Sequence, residues 1–465
     1  MSLRITNTLT RKVEDFVPRN TGKVDMFVCG PTVYDRVHIG NARTFVFFDV
    51  VVRWLRIKGF DVHYVQNITD IDDRIIARAR ELEKEPLLYA KEFEQKFLED
   101  MLAVGNTAVS EYARATDYIP QVVAQVKQLI KTGHVYFIDS DGWYFDLTTF
   151  PEYGKLSGRT TLAANDAVSR IDDSSKKRNI GDFCVWKLSK IGEPSWSDSD
   201  LGTGRPGWHI EDTAITEKFF GPQYDLHGGG IDLIFPHHEA EIAQQESASG
   251  IKPFVKYWMH CGFLEQQGEK MSKSVGNFAM LNDLLVDYQP EAIRFFLLSA
   301  YYRSPLAFKD DSLRSADAAV QRLSELSIKL DHISVSPNES DEPSENVKNI
   351  IQKFSDAMDD DFNIPNALAS LFDGVRIINI AIDSENISTK LISSGKELLS
   401  LAKDALGIVP TKGIAIPSDV QYLVDQRELA RKQKEFSMAD NFREKIIKMG
   451  YVIDDTPYGT LVKKK

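Results

Sequence analysis

Two short groups of residues in this chain have the composition needed to hold phosphate. His38-Ile39-Gly40-Asn41 combines a ring donor, a glycine that lets a ligand approach the backbone, and an amide donor. Lys270-Met271-Ser272-Lys273-Ser274 places two ammonium groups on a Ser/Gly-flanked loop that can close over a ligand. Displacement at a nucleotide phosphorus needs positioning and charge neutralisation more than a covalent catalyst. His38, Asn41, Lys270 and Lys273 are therefore the candidate catalytic residues. Gly228-Gly229-Gly230 followed by Asp232 suits a ribose, because a carboxylate can accept from both hydroxyls. Gly40, Gly229, Asp232, Lys270 and Lys273 form the candidate nucleotide site. A third group joins a thiol, two carboxylates and an imidazole: Cys29, Asp212, His237 and Glu241. His237 and Glu241 stand at i and i+4 and so share a helix face, whereas His238 is expected to point elsewhere as a structural residue. Taken alone, each motif has a plainer reading as a helix cap, a solvated basic loop, a buried core thiol or a polar helix start. Their common placement, at the C-terminal ends of expected strands, is what points to nucleotide and metal chemistry.

The elements that must position these residues read as an open α/β sheet. Val24–Cys29 reads as a buried strand and Thr44–Ile57 as the helix after it, with His38 at the helix start. A loop between a strand's C-terminal end and a helix N-terminus favours phosphate through free backbone N–H groups and the helix dipole. Asp61–Asn67 reads as a second strand, followed by a helical stretch from Arg74 through about Leu102. A helix and short strands at Gly133–Ile138 and Gly142–Leu147 read as an insertion, with a polar stretch at Asn165–Lys177. The sheet resumes at Tyr224–Leu226 and Phe254–Met259, with a helix opened by Pro236 and another at Pro290–Ala300. Residues 312–406 read as helical, broken by a Pro/Ser/Glu-rich loop at Ser334–Glu345, and Gly407–Ser418 reads as a linker. Two helices and a tail are expected after it. The expected organisation is a Rossmann-like parallel-sheet catalytic domain (1–115 and 201–310) carrying an inserted subdomain (116–200). An α-helical bundle (311–410) and a small C-terminal domain (411–465) follow.

Composition excludes other classes. No run is apolar over the roughly 20 residues a membrane span needs. The first residues lack the apolar core of a signal peptide, and three dispersed cysteines do not form a disulfide framework, so a reduced cytoplasm is expected. The net charge of −12 gives no global attraction for nucleic acid. The segment from Gln421 to Lys465, with ten Lys/Arg against seven Asp/Glu, is locally basic and is the expected exception. Arg427, Arg431, Lys432, Lys434 and Arg443 are placed on its expected helices.

The ordered pair HIGN and KMSKS resembles the class I aminoacyl-tRNA synthetases. Cys29-Gly-Pro-Thr-Val-Tyr-Asp35, Asn67-Ile-Thr-Asp-Ile-Asp-Asp73, Gly204-Arg-Pro-Gly-Trp-His-Ile-Glu211, His227-Gly-Gly-Gly-Ile-Asp-Leu233 and Phe235-Pro-His-His-Glu-Ala-Glu241 together look like cysteinyl-tRNA synthetases. The resemblance implies a monomeric cytoplasmic ligase using L-cysteine, ATP with Mg, and tRNA-Cys. It also implies one zinc ion held by two Cys, one His and one Glu, to which the substrate thiolate binds. By position the ligands are Cys29, His237 and Glu241, with Asp212 where the family has its second cysteine. Thr69, Trp208 and His227 become candidates for the amino-acid pocket. The family's tail continues after Gly-Thr with a Trp able to stack on an anticodon base, where this chain has Val462. Two other readings share the core: a ligase joining cysteine to an amino sugar, as in mycothiol biosynthesis, and a synthetase-like RNA-binding protein without activity.

Overall fold

The computed structural model describes residues 2–159, 174–266, 268–271, 278–309, 311–333, 335, 341–410, 417–456 and 459–464. Lys273, much of the polar stretch, half of the Ser334–Glu345 loop and the centre of the Gly407–Ser418 linker lie outside the described residues. The chain divides into two units. The first comprises Met1–Pro290, Leu297–Lys309 and Ala357–Ile364; the second comprises Glu291–Phe296, Asp310–Asp356 and Pro365–Lys465.

The first unit begins with a hairpin, β1 (Arg4–Asn7) and β2 (Lys12–Asp15), followed by β3 (Lys23–Val28). The helix α1 (Ile39–Ile57) connects β3 to β4 (Asp61–Ile68). Thirteen of the nineteen α1 residues are buried, which is why the Phe/Val-rich run reads as apolar nearly all round. The expected single helix after Arg74 is two: α2 (Asp73–Glu81) and α3 (Pro86–Ala103). The break lies where Glu83 adopts φ +52° and Glu85 caps α3 by accepting from the N–H groups of Leu87 and Leu88, with Pro86 at the first position. A proline is favoured there because its missing N–H would have had no partner. Next come β5 (Glu111–Arg114) and α4 (Ile119–Lys131).

The inserted strands are β6 (Val135–Ile138), β7 (Gly142–Phe145), β8 (Phe183–Leu188), β9 (Trp196–Asp198) and β10 (Gly202–Pro206), an antiparallel sheet in the order β6-β7-β8-β10-β9. The chain then returns through α5 (Ile210–Phe220), β11 (Tyr224–Gly230), α6 (Glu239–Ser249) and β12 (Val255–Cys261). The central sheet has the order β12-β11-β3-β4-β5, and every pair in it is parallel. The chain winds outward from β3 in one direction and from β11 in the other. Their C-terminal ends therefore open a crevice at the point where the winding reverses.

The strands β13 (Leu264–Gln266) and β14 (Glu269–Lys270) follow, then α7 (Leu281–Asp287), α8 (Pro290–Leu298), most of which belongs to the second unit, and β15 (Leu306–Ala307). Arg43 on α1, which is 1% exposed, donates to the carbonyls of Gly262 (2.9 Å), Phe263 (2.6 Å) and Ser304 (2.8 Å). The helix that starts at the HIGN motif thus also fixes the chain leading to Lys270. The segment Ala357–Ile364 belongs to this unit, where Asp359 accepts from Trp54 Nε1 at 3.0 Å and Lys58 at 2.9 Å.

The second unit contains α9 (Ser312–His332), α10 (Glu342–Asp359), α11 (Ile364–Asp383) and α12 (Thr389–Leu406) as long helices. A Cβ on Gly374 would stand 2.3 Å from Leu398 Cδ2, so any other residue there would have to push that side chain aside. Beyond the linker, α13 (Ser418–Lys432) and α14 (Phe436–Lys448) precede an antiparallel hairpin, β16 (Tyr451–Thr456) and β17 (Gly459–Lys464). The tail expected after the two helices is thus a hairpin that helps build a core of Val420, Val424, Ile446 and Ile453. Val462 pairs opposite Ile453 and packs on that core. Arg427 is 3% exposed and grips Asp455 through both ends of its guanidinium (2.8 and 2.5 Å), while Arg431 reaches the same carboxylate at 2.5 Å. These two arginines hold the module together. Lys434 lies past the end of α13, at φ +63°, and not on a helix. No helix among the described residues is long and apolar enough to cross a membrane.

Candidate active site and metal centre

A cavity of about 340 Å³ opens at the crevice between β3 and β11. Its lining includes His38, Gly40 and Asn41 at one end, Lys270 and Asp232 at another, and Cys29, Thr69, Trp208, Asp212 and His237 deeper in. The candidate phosphate-binding residues and three of the four candidate metal donors therefore face one space.

His38 is the N-cap of α1, and its Nδ1 accepts the Asn41 N–H at 3.3 Å. A Cβ on Gly40 would stand 2.9 Å from that ring nitrogen, so glycine lets the imidazole fold over the helix start. The first turn of α1 holds no acidic residue. The positive dipole end of α1 therefore meets no carboxylate of its own first turn. Lys270 Nζ lies 2.8 Å from Asp232 Oδ2 and 4.2 Å from the Phe263 ring centroid. In this state the candidate phosphate lysine and the candidate ribose carboxylate are each other's partners. Gly229 does not line the cavity; a Cβ there would stand 2.7 Å from His238 Cε1, so this glycine makes room for a buried ring.

The deeper cluster is nearly sealed: Cys29 is 5% exposed, His237 3%, Asp212 1% and Glu241 0%. Cys29 follows β3, Asp212 sits in the first turn of α5, His237 lies in the irregular turn Ile234–His238, and Glu241 opens α6. One donor atom from each lies within 4.8 Å of all the others. Cys29 Sγ is 3.3 Å from Asp212 Oδ2 and 3.8 Å from Glu241 Oε1, and His237 Nε2 is 3.0 Å and 3.1 Å from the same two oxygens. Bonds of about 2.0–2.3 Å to a tetrahedral ion would set donor atoms roughly 3.3–3.8 Å apart, so this set needs only small shifts. Glu241 Oε2 is buried without a hydrogen-bond donor. Burial, and then the neighbouring carboxylates, push the Cys29 thiol well above its ordinary range; burial raises the Glu241 carboxyl in the same way. Two carboxylates and a thiol gathered away from water, with no Lys or Arg among them, are the environment a divalent cation would neutralise.

His238 does not point elsewhere, as the i, i+4 reasoning expects. Its Nε2 is 3.1 Å from Cys29 Sγ, and Cys29, His227, His238 and Glu241 form a second four-donor group. The cause is local: from His238 the backbone is already helical, and His237 and His238 stand at i,i+4 and i,i+3 to Glu241, so both rings reach its Oε1, at 3.1 Å and 4.0 Å. His227 and His238 are both 0% exposed and do not line the cavity. His227 stacks on Trp258 (centroids 4.3 Å apart) and meets Tyr224 Oη at 2.5 Å, while His238 Nδ1 meets His260 Nε2 at 2.8 Å. Burial pushes both imidazoles well below their ordinary range, so they are neutral.

The wall around the cluster includes Trp208, whose ring stacks on His237 at 4.6 Å, and Thr69, whose hydroxyl donates to Glu211. His209 Nδ1 meets His237 Nδ1 at 2.7 Å, which leaves the His237 Nε2 facing Asp212 and Glu241. Asn67, inside a motif the sequence points out but without an assigned role, touches Asp212 directly. Period-2 alternation along β4 was the available signal, since it puts Asn67 on the face shared with Val65 and Thr69.

Residues 15–318 match the family model of the class I (C) tRNA synthetase catalytic domain, and residues 353–410 match that of the DALR domain. The fold agrees: a Mycobacterium tuberculosis methionyl-tRNA synthetase, solved in complex with methionyl-adenylate, superposes with a TM-score of 0.63 over 90% of this chain and 96% of its own, at 15% identity. Cysteine–tRNA ligases from Carboxydothermus hydrogenoformans and Trichlorobacter lovleyi are each 42% identical to this chain, over 99% and 100% of it and over the whole of both relatives. The chain belongs to the class I tRNA synthetases, within the cysteine–tRNA ligase family.

Proposed function

We propose that this protein activates L-cysteine with ATP and transfers it to the 3′ end of tRNA-Cys. A carboxylate oxygen of cysteine attacks the α-phosphorus, the bond to the β-phosphate breaks, and pyrophosphate leaves. A hydroxyl of the terminal adenosine then attacks the carbonyl carbon, and AMP leaves. The observation that carries this reading is one cavity lined by both the His38–Asn41 helix start and a buried Cys/Asp/His set.

His38 and Asn41 hold the phosphates against the start of α1. Asp232 accepts from the ribose, which requires Lys270 to exchange its carboxylate partner for triphosphate and Mg-bound oxygens as the loop closes. Lys273 joins it there. Cys29, Asp212, His237 and Glu241 would hold one zinc ion; of the two donor groups, this one borders the cavity, where a substrate side chain can reach it. Zinc in that place supplies a Lewis acid that a thiol satisfies at neutral pH and a hydroxyl does not. Thr69 and Trp208 wall the amino-acid pocket, and His227 supports it from beneath. Residues 311–410 grip the tRNA as a helical stem, and 411–465 read the anticodon. The protein acts as a cytoplasmic monomer.

The test is ATP–pyrophosphate exchange with purified protein, followed by labelling of tRNA with cysteine. Exchange that depends on cysteine, and label that moves to tRNA-Cys, are expected. No exchange with cysteine overturns the proposal. Exchange without transfer to tRNA would favour the amino-sugar ligase.

A further inference from the structure

Asn67 lies near the end of β4, is 2% exposed, and takes no part in the proposed chemistry. Two contacts lock its amide in one orientation. The Gly30 backbone N–H can only donate, and it meets Asn67 Oδ1 at 2.5 Å. Nδ2 is therefore turned the other way, where it donates to Asp212 Oδ1 at 2.5 Å and lies 3.4 Å from Thr69 Oγ1. The other oxygen of Asp212, Oδ2, faces Cys29 Sγ at 3.3 Å and His237 Nε2 at 3.0 Å. The carboxylate is thus divided: one oxygen is bound to the protein, and one is presented to the donor cluster.

We infer that Asn67 is a positioning residue for the metal, acting through Asp212 and making it a one-oxygen donor. The inference rests on the metal reading above. A carboxylate has two equivalent oxygens and can turn, chelate through both, or swing out of the set. A hydrogen bond to Oδ1 fixes the plane and commits that oxygen, so Oδ2 completes the set. A thiolate at position 212 would have a single donor atom and no such choice. The need for Asn67 therefore belongs to the aspartate, and it disappears when position 212 is cysteine.

The experiment measures zinc affinity of the full-length protein by competition with a chromophoric chelator, and the visible spectrum of the cobalt-loaded protein. The variants are Asn67→Ala, Asn67→Asp, Asp212→Ala, Asp212→Cys and the double variant Asn67→Ala/Asp212→Cys. Asn67→Ala is expected to weaken zinc about 10–100-fold, the effect typical of groups that orient a ligand. Its cobalt d–d bands should shift while the thiolate charge-transfer band from Cys29 persists. Asn67→Asp is isosteric and can still accept from Gly30, but it sets an oxygen against Asp212, so its loss should be at least as large. In the Asp212→Cys background, Asn67→Ala should change affinity by no more than about twofold, the scatter of uncoupled sites. Equal losses in both backgrounds would show that Asn67 acts through Gly30 and the shape of β4, overturning the inference. Unchanged affinity in Asn67→Ala or in Asp212→Ala would also overturn it. A wild-type protein that binds neither zinc nor cobalt would instead bring down the metal reading on which it rests.

Discussion

Lys270→Ala separates catalysis from folding because the structure shows how little the fold depends on this side chain. Lys270 and Asp232 are 43% and 48% exposed, and their ion pair is 2.8 Å long. Exposed pairs of this kind contribute about 0–1 kcal/mol, since screening and side-chain entropy offset most of the attraction. Removing the lysine should therefore lower the melting temperature by no more than about 2–4 °C. In the transition state the same ammonium would meet charge developing on the triphosphate inside a partly closed cavity. Loss of one preorganised donor there costs roughly 3–4 kcal/mol, or about 10²–10³ in rate. An interaction made chiefly in the transition state lowers kcat and leaves the Michaelis constant for cysteine nearly unchanged. The assay is ATP–pyrophosphate exchange at saturating cysteine, paired with a thermal melt. Asp232→Asn breaks the same ion pair but keeps the lysine, so it should retain most of kcat while raising the Michaelis constant for ATP. A Lys270→Ala protein with wild-type kcat refutes the reasoning. So does an Asp232→Asn protein that loses kcat as completely as Lys270→Ala, because the pair itself would then be the functional unit.

Gly30→Ala should destabilise the catalytic unit by about 1–3 kcal/mol or more, since a Cβ there would lie 1.8 Å from the Asn67 carbonyl oxygen; a wild-type denaturant midpoint would contradict this. The hydrogen bond and charge of Arg427 hold the Asp455 carboxyl below its usual range in the folded state. Its contribution is therefore complete above the unfolded carboxyl value of about 3.9 and is lost as pH falls through the lower folded value. Arg427→Ala should destabilise the C-terminal module at neutral pH and flatten that acid-side dependence, read by a tail-specific probe such as hydrogen exchange of β16. Deleting residues 411–465 should spare pyrophosphate exchange and impair tRNA charging; a folded truncation without exchange would show that the module supports the catalytic core.

Much of the site was legible because parallel strands end at one sheet edge. Cys29 after β3, Asp212 at the start of α5 and Glu241 at the start of α6 must then converge, whatever the loop details. His238 differs from the expectation because an i,i+3 neighbour shares the helix face as an i,i+4 neighbour does, and its Nε2 comes within 4.0 Å of Glu241 Oε1. The break between α2 and α3 is marked by Pro86, but the residues on either side keep a helical period that hides it. The final hairpin was missed because its two strands pair chiefly with each other and show their alternation only as Ile453 opposite Val462 over a four-residue core. That pairing packs Val462 against the module's small core. The Lys270–Asp232 and Asn67–Asp212 contacts join residues far apart in sequence, and no local pattern encodes them.

The central claim is that this cavity recognises cysteine by its thiol. The most direct measurement is the ratio of kcat/KM for pyrophosphate exchange with cysteine against serine, in zinc-loaded protein. A pocket that fits by shape alone separates such near-isosteres by about 10–200-fold, whereas a site built to bond the distinguishing group reaches about 10⁴–10⁵. Cys29, Asp212 and His237 on the cavity floor, with buried Glu241 completing the donor set, predict a ratio above about 10⁴. A ratio of about 200 or less would contradict the account.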